Sequence, residues 1–470
     1  MSYGSHGRLT RQTNSIRTRL RSNRAMPFAD ILGPEAVQDA IATHGPRIRH
    51  CVFTPLRVIY AFLAQVMNPD PSCRQATTLI LLWQGLCGHN RGSIDTGPYC
   101  KARRKLPEAL PANLARKVGA DLHRRFGKDQ LLRGRPVKIV DGSTCSMPDT
   151  PENQAQYPQA HTQKAGLGFP VMRFVVVLSL ACGVALNAAM GPYHGKGTGE
   201  TALLRKLEDE FAVGDIVLGD RYFCSYWKIA AFHKRRVDCI FRMHQLRHID
   251  FRKGRCFGYW DHVVKWQRPI ASNRPEWLDQ DDYHAMPGEL EIREVKRRVH
   301  IKGFRVRVLV LATTLLDAQQ YPAEELMRAF RARWHAEVDL RSIKVAMKMD
   351  VLRCKTPEMV RKEFWMHLLA YNLVRTVMAR AAERAGRPPR EISFTATLQL
   401  LRTFAPAMVA LSAAQAMRLH RLLLAALGRE LVGDRPDRYE PRATKRRPKP
   451  QRLLNEPREK ARRRMERRAK

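Results

Sequence analysis

The chain has 470 residues, room for two or three modules, and 44% of them are hydrophobic, an ordinary share for a protein that buries a sizeable core. Lysine and arginine number 83 against 44 acidic residues, for a formal net charge of +39. That excess argues against an acidic or neutral partner and favours a polyanion, nucleic acid ahead of anionic membrane, because cations that neutralise phosphates release condensed counterions.

The start of the chain, MSYGSHGRLTRQTNS, lacks the apolar core of a signal peptide. The longest apolar run, Phe174 to Met190, is shorter than a bilayer span and contains Gly183 and Asn187, which suits a buried β-hairpin. No membrane association is expected, and the cytoplasm, on DNA, is the expected location. The ten cysteines form no C-x-x-C pair, so neither a zinc site nor a disulfide framework is indicated.

In chain order, the first 25 residues carry six arginines and no acid, the pattern of a basic arm. From about Phe28 to Phe126, helix-length apolar segments such as Leu56 to Met67 and Thr77 to Leu86 alternate with Pro and Gly. A helical DNA-binding module and a helical scaffold both fit. The texture changes at Arg133. Val137 to Val140 predicts a short strand ending at Asp141, and Phe174 to Leu180 and Gly183 to Met190 predict two more. A helix is expected over Thr198 to Phe211, then a strand from Asp215 to Gly219 ending at Asp220. Ser225 to Lys234 reads as a helix and Asp238 to Arg242 as a strand. A polar, tryptophan-bearing stretch from about His244 to Pro287 precedes strand-like segments at Leu290 to Val299 and Phe304 to Thr314. One long helix is expected to start near Pro322, with Glu324 and Glu325 favourable in its first turn. Strands mixed with helices in this order predict an α/β core around a mixed sheet. The chain beyond Ala382 is helical up to Leu427, and the last 30 residues hold 14 Lys or Arg against 3 Glu, the composition of a disordered tail that clings to DNA.

Metal-dependent phosphodiester cleavage needs carboxylates fixed at rigid points and converging on two cations. Asp141 and Asp220 each follow an apolar strand, and acids at neighbouring strand ends can meet. An Asp before Gly or Ser also serves as a plain turn residue. In the segment Phe330 to Lys344, helical spacing puts Phe330, Glu337 and Lys344 on one face, flanked by Arg333 and Arg341 at four residues either side of Glu337. A carboxylate among three cations suits a site for metal and phosphate, and Asp339, nearly opposite, suits it less. Surface salt bridging at i,i+4 gives the same spacing.

These residues resemble a known family. Phe330 to Lys344 is similar to the Y-x2-R-x3-E-x6-K signature of insertion-sequence transposases, with Phe for Tyr. Asp141-Gly-Ser-Thr and Asp220-Arg-Tyr-Phe resemble the first and second Asp motifs of the insertion sequence 4 family of DDE transposases. The resemblance spans about Val137 to Arg375. It implies an RNase H-like catalytic core with a β-rich insertion, flanked by helical N- and C-terminal regions. The implied division is a basic arm over 1–27, a helical DNA-binding region over 28–130, the catalytic domain over 131–381 with its insertion at about 244–303, a helical region over 382–430 and a basic tail over 431–470.

The resemblance further implies that Asp141, Asp220 and Glu337 hold two Mg²⁺, with Mn²⁺ as a substitute. Arg333 and Lys344 would grip phosphates of the transposon end, and Arg341 and Arg221 would add further DNA contacts. The family's Tyr contacts the DNA backbone, and Phe330 has no hydroxyl for that bond. Trp260, Trp266 and Trp277 are candidates to stack a flipped base. The implied activity is nicking at the element's ends, hairpin formation and reopening, and attack of the 3′-hydroxyl on target DNA. The implied partners are duplex terminal inverted repeats, target DNA and a second copy of the chain. An RNase H-like nuclease without strand transfer, and a non-catalytic DNA-binding relative, are the alternatives.

Overall fold

Helices form in the first third of the chain where an apolar stripe meets a capping residue. In a computed structural model, which describes residues 28–44, 52–87, 93–126, 132–299, 308–409, 411–433 and 454–468, α1 (Pro34–His44) is followed by α2 (Pro55–Met67), α3 (Cys73–Leu86), α4 (Thr96–Lys105) and α5 (Ala109–Phe126). The Thr54 and Ser72 hydroxyls accept from the Arg57 and Gln75 amides at the starts of α2 and α3, and Asp95 accepts from Gly97 at the start of α4. Each cap satisfies an amide that has no partner within its helix. The basic arm expected over 1–27 lies outside the described residues.

The sheet follows: β1 (Val137–Ser146), α6 (Pro151–Gln156), β2 (Val171–Ser179), β3 (Ala185–Pro192), α7 (Glu200–Arg205), β4 (Ile216–Gly219), α8 (Tyr226–Lys234), β5 (Asp238–Arg242), β6 (Arg255–Gly258), β7 (Asp261–Gln267), α9 (Gln280–Ala285), β8 (Glu289–Arg298) and β9 (Val308–Thr313). The strand order is β3-β2-β1-β4-β5-β9-β8-β7-β6. β1 runs antiparallel to β2 and parallel to β4, and β4 is parallel to β5. The first five strands thus have the mixed order of an RNase H-like core, as expected. The β-rich segment after β5 does not stand apart, since β9 pairs with β5 and carries β8, β7 and β6 outward on the same sheet.

The central strands read as unbroken apolar runs because both faces are covered. Ile139, Val176, Leu218 and Ile240 belong to one core cluster, and Val140, Val175, Val177, Val217 and Phe241 to the other. The second face packs residues of α7 and α8, including Leu203, Leu204, Ile229 and Phe232. The first packs α10 (Ala323–Arg331), α11 (Trp334–Arg341) and the 28-residue α12 (Pro357–Arg384). α12 also packs against α5, α2, α13 (Phe394–Val409) and α14 (Ala413–Leu427). It is buried on nearly every side, so no amphipathic stripe announces it in the sequence.

The structure departs from the sequence reading at several points. β1 does not stop at Asp141 but runs on to Ser146, because β2 continues to pair with it after the parallel pairing with β4 ends at Ile139. The segment expected to be one helix after Pro322 is broken into α10 and α11 by a bend at residues 332–333, and a π-helical turn, Ser342–Ala346, follows. Thr198 to Phe211 yields only the short α7 and a 3-10 turn, Glu208–Glu210. In the tail expected to be disordered, α15 (Arg458–Arg468) is a described helix, and Arg464 pairs with Glu456 at 2.7 Å. Among the described residues, no helix is long and apolar enough to cross a membrane.

Candidate active site

Strand register brings the first two acids together. Lys138 pairs with Val217 and Ile139 with Leu218, so two steps further along Asp141 of β1 lies beside Asp220, the first residue after β4. Alternation gives Asp141 the parity of Ile139, on the sheet face that α10 to α12 cover. Glu337, on the first turn of α11, comes to the same place. Asp141, Gly142, Asp220, Arg333, Glu337, Leu340, Arg341, Lys344 and Val345 line one open cleft of about 450 Å³.

Within the cleft, Arg333 spans two acids. Its Nη1 is 3.6 Å from Asp141 Oδ2 and its Nη2 is 3.2 Å from Glu337 Oε1. Lys344 Nζ donates to Ser143 Oγ at 3.0 Å, two residues beyond Asp141 on β1. The π-helical turn delivers this lysine: the Met347 amide donates to the Ser342 carbonyl, five residues back, which widens the helix just where Lys344 leaves it. Asp220 Oδ1 accepts from the Tyr222 amide at 2.8 Å, and Asp141 Oδ1 from the Gly142 amide at 3.1 Å. Burial pushes the Asp141 carboxyl up to about 6, Asp220 and Glu200 push the same way, and Arg333 opposes them.

The family model of the transposase DDE domain matches residues 132–373. The chain belongs to the DDE-domain transposases. It is 26% identical over 454 residues to the transposase InsG for insertion sequence element IS4 of Escherichia coli K12, covering 94% of this chain and 95% of that one. The transposase for insertion sequence element IS421 of Escherichia coli is 31% identical over 100 residues, 21% of this chain and 26% of its own. A cryo-EM structure of the piggyBac transposase synaptic complex with hairpin DNA aligns over 89% of this chain and 86% of its own, with TM-score 0.41 and 11% identity. Its activity is that of a DNA transposase.

Of the site residues expected in this transposase, Asp141, Asp220, Glu337, Arg333, Arg341 and Lys344 share the cleft. Arg221 turns instead to Gln245 of the insertion, 2.5 Å away. Phe330 is only 7% exposed and packs in the core. Trp266 is buried, and its indole donates to Glu294. Trp260 stacks on Tyr259 with Lys296 over its ring, and Trp277 is partly exposed with the Arg205 guanidinium 4.1 Å from its ring centre.

Two neighbours escape the sequence reading. Glu200 lies on the opposite side of β1, where a Cβ on Gly142 would come within 2.4 Å of its carboxyl carbon. Burial and then Asp220 hold the Glu200 carboxyl above its ordinary range. Arg242, on β5, has its pKa lowered by burial and by the nearby Arg221 and Arg333, with Asp220 opposing. Neither belongs to a motif; the sheet order brings Arg242 to the acids, and the packing of α7 on β2 and β3 brings Glu200.

The transposase DDE family generally uses divalent metal ions. Among the described residues, no three His, Cys, Asp or Glu side chains form a preformed metal centre. The donor chemistry nevertheless fits a hard cation. Carboxylate oxygens from β1, from the end of β4 and from α11 face one cleft, and the guanidinium of Arg333 stands as a cation between two of them.

Proposed function

We propose that this transposase excises and inserts its element by a two-metal mechanism, with Asp141, Asp220 and Glu337 holding two Mg²⁺ or, in substitution, Mn²⁺. The observation that carries this reading is the meeting of three acids from separate elements in one cleft that three cations also line. When bound, the metal ions supply Lewis-acid activation of the attacking oxygen and stabilisation of the leaving one. The chain supplies position. Arg333, with its planar fork, and Lys344, as a point charge, hold phosphates of the transposon end, and Arg341 extends this cationic rim. The cleft is open on one side, which suits a duplex end rather than a small molecule. The DNA substrates are the terminal inverted repeats and the target, and two copies of the chain pair the two ends.

The test is a nicking and strand-transfer assay with Mg²⁺ on duplexes carrying the flanking inverted repeats. Wild type is expected to nick and then join 3′ ends to target DNA, and Glu337→Ala to do neither while still binding DNA. Cleavage without joining would instead identify a nuclease. Binding without cleavage in wild type would identify a non-catalytic relative.

A further inference from the structure

Resting on the metal-site reading above, we infer that Arg333 is a built-in counter-ion that competes with the divalent cation for Asp141 and Glu337. Metal loading then moves this guanidinium off both carboxylates and frees it for DNA phosphate.

The position of Arg333 makes this possible. It sits at the bend between α10 and α11, immediately before the first residue of α11. From there one terminal nitrogen reaches Asp141 across the cleft and the other reaches Glu337 one turn further on. The Arg333 side chain is 18% exposed and that of Asp141 15%, so the contact is partly shielded from water. A guanidinium cannot shed its charge, so it leaves these acids only by moving. Lys344, in the same cleft, is placed differently: its Nζ donates to the Ser143 hydroxyl. A divalent ion brings twice the charge to the same carboxylates and can displace the arginine, whose five donors are then unspent. Metal binding and phosphate binding are thereby coupled through one side chain, and the coupling is reciprocal.

The sign of the effect separates this role from a structural one. An arginine that merely built the site would, on removal, loosen the acids and weaken metal binding. A competitor, on removal, strengthens it. The measurement is a Mn²⁺ titration of the full chain without DNA, followed by loss of the free-ion EPR signal, for wild type, Arg333→Ala, Arg333→Lys and Asp141→Asn. Arg333→Ala is expected to bind Mn²⁺ about tenfold more tightly than wild type, the scale of one partly screened charge contact. Arg333→Lys, which keeps the charge, is expected to stay within about twofold of wild type. Affinity that is unchanged or weaker in Arg333→Ala, with unfolding by circular dichroism unaltered, overturns the inference and leaves the metal site standing. If Asp141→Asn titrates like wild type, the metal-site reading itself falls and the inference with it.

Discussion

Single residues in this site are defined by what surrounds their charge. Asp141 is held in a partly buried spot against Asp220 and Glu200, and Arg333 is the cation that offsets them. Lys344 reaches the same strand through one hydroxyl contact, which a phosphate oxygen can replace. Lys344→Ala is therefore expected to weaken DNA binding equally for specific and unrelated duplexes. The slope of log K against log salt should fall by about one in magnitude, as read by fluorescence anisotropy over a KCl series. Asp141→Ala should bind both duplexes at least as well as wild type yet make no nicks on a denaturing gel. At this scale the sequence was informative: six of the eight residues its motif singles out line the cleft. Phe330 and Arg221 do not, because a seven-residue helical repeat cannot say that the helix bends, nor a dipeptide that its arginine finds Gln245.

Elements hold these residues in register. α11 presents Glu337 to the cleft and, two residues on, buries Asp339 completely between Arg375 of α12 and Arg390. Arg375 in turn donates to Tyr371 Oη, which donates to the Gly183 carbonyl in the β2–β3 turn, where φ is +71°. This network ties the helix bearing the third acid to α12 and to the sheet. Asp339→Ala would leave two buried guanidinium groups without their anion and is expected to cost about 3–5 kcal/mol, measured by urea unfolding. Glu337→Ala, exposed in the cleft, should leave the midpoint nearly unchanged while abolishing cleavage.

The contact of α5 with β3 gives a second test. A Cβ on Gly119 would lie 2.4 Å from the Ala185 carbonyl oxygen, a backbone atom of β3. Alanine there gains about 1 kcal/mol of helix propensity, but relieving the clash moves a helix from a strand, at a cost of about 1–3 kcal/mol. Gly119→Ala is expected to be net destabilising in thermal unfolding.

At the scale of the whole molecule, charge and burial pull in different directions. The +39 net charge suits a DNA-acting enzyme, yet the interior holds groups that cannot charge without loss. His367 of α12 is buried, and burial lowers its pKa to about 3; His335 is lowered to about 4 by burial and then by Arg390. Both are neutral in the fold below the pH at which they protonate in the unfolded chain. Their stabilising share is thus complete above about pH 6.5 and is lost as the pH falls from there toward the folded values. By pH 5 the loss from His367 is roughly 2 kcal/mol. Urea midpoints between pH 7.5 and pH 5 should fall in wild type and fall less in His367→Leu.

The sequence by itself determined the partner class, through its charge, and singled out acids and cations that line the cleft, through the motifs around Asp141, Asp220 and Phe330 to Lys344. It also determined most of the strands, because an apolar run bounded by turn residues is a local signal. Only the tertiary structure decided that β1 continues past Asp141, that Glu200 backs Gly142, that Arg333 bridges two acids and that Asp339 is clamped by two arginines. Each of these depends on which strands pair, in what register, and on which helix covers which face. Such pairings are set by burial summed over segments far apart in the chain, and no window of local sequence contains them.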